Sequence, residues 1–416
     1  MHPTQKNYFR ITGFLFFVLT ATISHGQFKA VDDYYNTALA NSPVIADIET
    51  KLQQNRYDSA LAGAIYKPQI AVNAQALYPP AYGDYGYDKI VTNSGHYQSV
   101  ISATELISPR KEVKANRLVN AYHNDSLANE ANQAKNQLRK DVTDKFLATC
   151  LLQQQMIFYM KSDSFLVDEL KKVYSDTTLY NMDDYYGLLV EEHSEHTQVA
   201  QYYAQVIKAF SDLNETCGIV DTTFPTLTVP DLKILARPDM NQVYAYRKFK
   251  VDSMQIAEQK ILLNAQYLPH FSWYADAGIL ASQPQYIYKS FGNSVGLNLA
   301  MPIYDGNKRK LQSRALVASE NLRDKYAKFF TRVYTSHTLL VIKQINSANL
   351  LLSQLKGEAE EARLWMKVSV TELETGNVSI SDFILALKKD LEVKTDIVQT
   401  QIGKQSLINE YNFWNH

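Results

Sequence analysis

Four segments of this chain alternate apolar and polar residues with a period of two, the pattern of a β-strand with one apolar face. They are residues 68–78, 96–107, 269–280 and 291–303. The alternation is clearest in the last segment, where Val295, Leu297 and Leu299 have polar or small neighbours, and it is weaker in the first two, where Glu105 interrupts the less polar face. At about 11 to 13 residues, the segments exceed an ordinary strand and approach the length of a tilted membrane-crossing strand.

A half-buried sheet of a soluble protein would show the same alternation. Tyrosines at the segment ends favour a membrane, because aromatic residues concentrate where a barrel meets the lipid–water interface. They are Tyr66, Tyr267 and Tyr304 at one end and Tyr78, Tyr82, Tyr85, Tyr87, Tyr286 and Tyr288 at the other. Four strands cannot close a barrel, since the smallest membrane barrels have about eight, and lipid excludes open sheet edges. We therefore expect several protomers to share one barrel.

The remaining sequence predicts long helices with apolar seams. Residues 305–355 contain no proline and would span roughly 75 Å as a helix. Seams spaced as in coiled coils run through three stretches. Their members are Leu311, Ala315, Ala318, Leu322, Phe329 and Val333; Ile380, Ile384, Leu387, Leu391, Val398 and Ile402; and Val199, Tyr203, Val206, Phe210 and Leu213. Lys394 occupies the skipped place in the second seam, where it would set the register or face an aqueous lumen.

These landmarks occur twice, about 200 residues apart. Tyr66 and Pro68 correspond to Tyr267 and Pro269, and three further proline or aspartate landmarks keep the same order. The chain is therefore predicted to be mainly α with a small β part, in duplicated helix–strand–strand–helix halves. Residues 27–225 form the first predicted repeat and residues 226–416 the second.

Residues 1–26 have the pattern of a secretory signal peptide. Lys6 and Arg10 precede an apolar run over residues 11–23, and small residues follow near a cleavage position. After residue 27 we find no apolar run of 18 residues, so any membrane crossing is expected to use strands. Cys150 and Cys217 are predicted to be small buried residues, with a disulfide as the alternative.

Composition and motifs narrow the function classes. The 42 basic and 43 acidic residues leave no basic excess for a nucleic-acid partner. No glycine-rich phosphate loop, nucleophile elbow or Cys-x-x-Cys motif is present, so neither an enzyme nor a cofactor is predicted. His193 and His196 lie three residues apart on a predicted helix, a spacing that suits either a metal site or a solvated face.

The chain resembles the TolC-like outer-membrane factor family. The resemblance is carried by residues 267–269, 302–306 and 374–382, by the export signal, and by the order of helices and strands over residues 30–413. It implies a homotrimer whose twelve strands form one outer-membrane barrel, continued into the periplasm by a helical α-barrel. It also implies an exit duct for efflux or type I secretion, working with a periplasmic adaptor and an inner-membrane pump. A periplasmic coiled-coil scaffold or adaptor, and a passive porin, are the alternatives.

The resemblance places the periplasmic entrance at two helix turns, near residues 174–184 and 373–382. Gly376 matches the family's turn glycine, and Asp382 matches an acidic position, with Asp184 as its counterpart. A ring of these carboxylates on a three-fold axis would attract cations. Alternatively, both aspartates are ordinary residues of a helix N-terminus, where the dipole favours a negative charge. The first turn lacks a glycine, and Val378 and Leu385 stand where some members carry an arginine and an aspartate, so gating is expected to differ.

Overall fold

A computed structural model describes residues 30–80, 85–86, 95–107, 109–175 and 180–416. The predicted signal peptide, Tyr82, Tyr87 and the centre of the first entrance turn lie outside the described residues. Among the described helices, none carries a stretch apolar and long enough to cross a membrane.

Helices and strands follow one another in two similar series. The first series is α1 (Val31–Asn41), α2 (Pro43–Ala64), β1 (Gln69–Leu77), β2 (His96–Ile107), α3 (Arg110–Ser175) and α4 (Met182–Cys217). The second is α5 (Tyr244–Ala265), β3 (His270–Ala281), β4 (Phe291–Ala300), α6 (Lys308–Glu374) and α7 (Ile380–Trp414), with short 3-10 helices at Met240–Gln242 and Pro284–Lys289. Helices α3 and α6 have 66 and 67 residues, and α4 and α7 have 36 and 35. The predicted mainly α fold with duplicated order is therefore confirmed.

The strands form one antiparallel sheet in the order β1-β2-β3-β4. Their positions agree with the prediction to within a residue or so, except that β4 ends at Ala300 rather than at residue 303. Pro302 has no backbone N–H to donate to the ladder, which accounts for the early end. In the described part of the chain, β1 and β4 each pair along one edge only.

The register brings most of the apolar residues of the four strands to one face of the sheet. Directly opposed residues share a face, and Val72 opposes Ile101 while Trp273 opposes Leu297. The apolar face contains Ile70, Val72, Ala74, Ala76, Tyr97, Ser99, Ile101, Ala103, Glu105, Ile107, Phe271, Trp273, Ala275, Ala277, Ile279, Phe291, Asn293, Val295, Leu297 and Leu299. On the other face, hydrogen bonds join polar residues of neighbouring strands, as between Ser294 and Asp276 at 2.8 Å.

The helices pack around three groups of buried side chains. The largest joins α1, α3, α4 and α7 through Tyr34, Phe146, Phe210 and Ile402. An extended segment from residue 219 to 239 leads from α4 into the second series. Gln153 of α3 holds this segment. Its side-chain oxygen accepts a hydrogen bond from Leu227 N, and its side-chain nitrogen donates one to Pro225 O.

The three predicted seams differ in what covers them. The α7 seam faces the protein interior, with Ile380, Leu387, Leu391 and Ile402 buried. The α6 seam does not: Leu311, Leu322 and Phe329 are exposed. The stripe of α6 that this chain buries instead contains Ala327, Tyr334, Thr338, Val341 and Ile345. The prediction that the α6 seam packs is thus not met within one chain.

The α4 seam is buried at Val206, Phe210 and Leu213, whereas Tyr203 is exposed. Lys394, at the skipped seam position of α7, is half exposed and contacts Asp390 at 2.5 Å. It therefore lies at the edge of the packed face. Cys150 and Cys217 are buried free thiols, as predicted, and the alternative of a disulfide is wrong.

Candidate functional site

The two predicted entrance turns lie in contact at one end of the helices. The first follows α3 and leads to α4, and the second joins α6 to α7. The Tyr180 hydroxyl donates a hydrogen bond to the Leu373 carbonyl oxygen, which ties the first turn to the end of α6. Lys172 adds an ion pair with Glu374 at 3.2 Å and another with Glu169 at 2.8 Å.

A compact apolar cluster supports both turns. It contains Leu166, Val173, Leu188, Leu373, Ile380, Phe383 and Leu387. All four long helices contribute to it, so movement of either turn would disturb contacts made by the other. Of this cluster, the predicted α7 seam contained Ile380 and Leu387. No sequence pattern marked Tyr180 or Lys172, because their contacts join residues about 200 positions apart.

Asp184 lies in the first turn of α4 and closes a capping box with Asn181. The Asn181 side-chain oxygen accepts hydrogen bonds from the N–H groups of Asp183 and Asp184, at 2.8 and 3.0 Å. In return, Asn181 N donates to the Asp184 carboxylate at 3.2 Å. These bonds satisfy N–H groups that a helix start would otherwise leave unpaired.

Asp382 has the equivalent place in α7. The Ser379 hydroxyl oxygen accepts a hydrogen bond from Asp382 N at 3.1 Å, and the same hydroxyl donates to the Asp382 carboxylate at 2.7 Å. The alternative role given to both aspartates, as residues of helix starts, is thus observed. Their role as a charged ring at an entrance stays a prediction.

Gly376 follows the end of α6 and has the left-handed conformation, with φ of 71°. Gly376 N donates to Leu373 O at 3.0 Å, and Asn377 N donates to Glu372 O at 2.8 Å. This pair of bonds is the Schellman arrangement, which places a residue of positive φ after the helix. The backbone conformation predicted for the turn glycine is therefore present.

The two histidines on α4 have different surroundings. His193 points into solvent, 3.6 Å from Glu192, whereas His196 Nδ1 lies 3.4 Å from Asp163 Oδ2 on α3. Both histidine side chains are mostly exposed, as the solvated-face alternative requires, and the two have different carboxylates as neighbours. Asp163 was missed, because nothing in the α3 sequence marks it as a neighbour of α4.

Next to His196 lie two buried carboxylates on the face of α4 turned toward α3 and α7. Glu191 forms an ion pair with Lys388 of α7 at 2.8 Å. Glu195 is only 5% exposed, and its Oε2 has no hydrogen-bond partner among the described residues. Burial, together with the charges of Glu191 and Asp163, raises the pKa of Glu195 to about 7 against the partial offset of Lys388.

Comparison with known proteins gives matches in structure but not in sequence. No protein-family model and no curated protein matches the chain. Among solved structures, the channel CusC aligns with a TM-score of 0.78 at 12% identity, over 92% of each chain. The outer-membrane channel OprN aligns at 0.77 and 11% identity, over 93% of this chain and 90% of that one. This chain has the fold of these channels.

A third similar structure is the outer-membrane protein VceC from Vibrio cholerae, with a TM-score of 0.74 at 12% identity. Its alignment covers 92% of this chain and 96% of VceC. The resemblance to the TolC-like family seen in the sequence is therefore confirmed for the fold, across nearly the whole chain. The similar proteins named here are outer-membrane proteins and channels rather than enzymes.

Proposed function

We propose that the protein is the outer-membrane channel subunit of a tripartite efflux or type I secretion system. It would be a passive exit duct for substrates delivered by an inner-membrane pump through a periplasmic adaptor. One observation carries this proposal. The chain shares the fold of a solved channel over 92% of its length, and its sheet has an uncovered apolar face and uncovered edges.

The sheet is unsuited to water as a single chain. Val295 and Leu297 are 81% and 78% exposed on the apolar face, and Ile70 and Val72 are similarly uncovered on β1. Contiguous apolar surface of this kind is rare on soluble monomers. Lipid would cover it, while the polar face with Asp276 and Ser294 would line an aqueous lumen.

The uncovered edges support a homotrimer. Open edges are excluded in lipid, so β4 of one copy would pair with β1 of the next, and three copies would give twelve strands. The exposed α6 seam has the same explanation, since Leu311, Leu322 and Phe329 would pack against a neighbouring copy. The four long helices of each copy would then form the wall of a periplasmic conduit.

The entrance of this conduit would lie at the turns that hold Asp184, Gly376 and Asp382. The hydrogen bond from Tyr180 to Leu373 and the ion pair between Lys172 and Glu374 join the two turns of one copy. Opening would require these turns to move, or the copies to rotate against each other. The adaptor would bind at this helical end, and the outer membrane would surround the sheet.

A pair of substitutions on adjacent residues tests the membrane assignment. Leu297→Arg places a charge on the apolar face, at a cost of about 2–4 kcal/mol if that residue lies near the bilayer midplane. Asn298→Arg places the same charge on the polar face. We expect the first variant to lose heat-resistant trimers from the outer-membrane fraction. We expect the second to assemble and to change the conductance of reconstituted channels.

Wild-type protein found soluble in the periplasm would contradict the channel and would favour the coiled-coil scaffold. Equal effects of the two arginines on assembly would contradict the assignment of faces. A circular-dichroism spectrum dominated by helix, expected for this fold, would separate the protein from a passive porin.

A further inference from the structure

We propose that Asp163, Glu192 and His196 form a binding site for a divalent transition-metal ion of the zinc class, joining α3 to α4. Asp163 comes from α3, while Glu192 and His196 lie one turn apart on the same face of α4. One ligand atom from each residue lies within 4.8 Å of the other two. The site is independent of the proposed channel function.

The separations fit a small ion. Two ligand atoms that each lie about 2.0–2.1 Å from a tetrahedral Zn²⁺ are roughly 3.4 Å apart. His196 Nδ1 and Asp163 Oδ2 are already 3.4 Å apart. The Glu192 ligand atom lies within 4.8 Å of the other two, so its side chain would turn toward the ion on binding.

Two buried carboxylate oxygens in and beside the site have no hydrogen-bond partner among the described residues. Lys388, which lies near this region, is engaged with Glu191 at 2.8 Å. Asp163 Oδ1 is buried and has no hydrogen-bond partner among the described residues. The buried Glu195 Oε2 is equally unpartnered and lies close enough to Asp163 to interact with its charge. Buried carboxylates normally have partners, and a bound cation would supply the one that is missing.

The types of ligand decide which ion suits the site. One imidazole nitrogen and two carboxylate oxygens favour first-row divalent ions over Mg²⁺ or Ca²⁺, which prefer oxygen alone. The site contains no thiolate for Cu⁺. Asp163 and Glu192 are mostly buried whereas His196 is 71% exposed, so the ion would enter from solvent on the histidine side. Water would complete its coordination there.

A bound ion would hold α3 and α4 together a short distance before the first entrance turn. Asp163 precedes the end of α3 at Ser175 by twelve positions, which places the site roughly 18 Å from the turn. An ion shared by two helices would resist their separation, and it would raise the stability of the pair in proportion to its concentration.

The test uses the full-length protein in detergent, treated with a chelator and then titrated with Zn²⁺ by calorimetry. His196→Ala and Glu192→Gln should each weaken Zn²⁺ binding at least about tenfold, since loss of even an indirect partner of a metal ligand costs about 10-fold to 100-fold. His123→Ala is the matched control. It removes an exposed histidine of α3 that lies 40 positions before Asp163, and it should leave the affinity unchanged.

Two further measurements identify the ligands and the ion. X-ray absorption of the Zn²⁺-loaded protein should show one nitrogen from imidazole and no sulfur, and Mg²⁺ should not compete. Because His196 and Glu192 lie on a helix surface, circular dichroism should show that both variants keep the wild-type helix content.

Three results would overturn the proposal. One is equal loss of affinity in His123→Ala and His196→Ala, which would indicate nonspecific binding to surface histidines. Another is unchanged affinity in Glu192→Gln. The third is no Zn²⁺ binding by the wild-type protein, which would leave Asp163 and His196 as a simple hydrogen-bonded pair.

Discussion

The indole Nε1 of Trp273 donates a hydrogen bond of 2.8 Å to the carboxylate of Glu105, across directly opposed positions of β2 and β3. Glu105 is the acidic residue on the apolar face of the sheet. Its carboxylate accepts the hydrogen bond that the neighbouring Trp273 indole donates. In the proposed membrane barrel, a carboxylate without a donor at this place would be costly, because lipid could not solvate it.

If lipid covers this face as proposed, Trp273→Phe should destabilise the protein by about 1–3 kcal/mol, the usual cost of leaving an acceptor unpaired away from water. The measurement is the free energy of unfolding by urea in detergent. Adding Glu105→Leu to the same chain should restore most of the loss, since no acceptor then remains. If Trp273→Phe costs the same in the Glu105→Leu background, the effect belongs to ring packing and not to the hydrogen bond.

Asp184→Asn and Asp382→Asn separate the charge of the two turn aspartates from their capping role. Asparagine keeps a side-chain oxygen that can accept from Asn181 N or from the Ser379 hydroxyl. The double variant should fold normally, and its reconstituted channels should lose cation selectivity and block by multivalent cations. Single-channel conductance measures this. Unchanged selectivity would mean that both residues act only as helix caps. Alanine variants would not distinguish these roles, because alanine removes the charge and the capping oxygen together.

Gly376→Ala should destabilise the end of α6 by about 1–2 kcal/mol, because a residue with a Cβ is strained at the φ of 71° found there. Gly376→Asn should cost less, since asparagine tolerates this region better. Gly357→Ala in the interior of the same helix is the control. Its Cβ would meet nothing within 4 Å, so it should stabilise the protein by about 0.5–1 kcal/mol. Equal effects at both glycines would contradict the turn geometry.

Glu195→Gln should stabilise the chelator-treated protein at alkaline pH. The pKa of Glu195 is raised from 4.5 to about 7, so the folded state holds a proton there that the unfolded state releases at lower pH. Wild-type stability should therefore fall relative to the variant as pH rises from about 4.5 to 7, and the full difference of about 3 kcal/mol should persist above that range. Urea unfolding at pH 5 and pH 8 measures it. A difference independent of pH would show that Glu195 ionises normally.

Periodicity in the sequence predicted the elements because each pattern reflects a local preference. Alternation located all four strands. The largest difference is at the end of β4, which stops at Ala300, shortly before Pro302, whereas the prediction extended to residue 303. The seam of α7 was correctly predicted as a buried stripe. The seam of α6 was equally regular but lies exposed, since a pattern shows that a face needs a partner without showing whether that partner belongs to the same chain.

The residues of the candidate site were proposed from the resemblance to the TolC-like family. Their local backbone positions agree with general preferences, since a left-handed turn favours glycine, as at Gly376, and helix starts favour acidic residues, as at Asp184 and Asp382. The spacing of His193 and His196 left a metal site and a solvated face as alternatives. Helix geometry fixes which residues of α4 share a face, but it does not specify which side chain of α3 lies opposite.

The sequence by itself therefore determined the helices, the strands and the duplicated order, because these depend on residues near one another in the chain. The tertiary structure decided the relationships across the chain. These include Tyr180 with Leu373, Trp273 with Glu105, and Asp163 with His196. Each depends on how two elements far apart in sequence are rotated and shifted against each other, and this is set by the packing of all the helices and strands together.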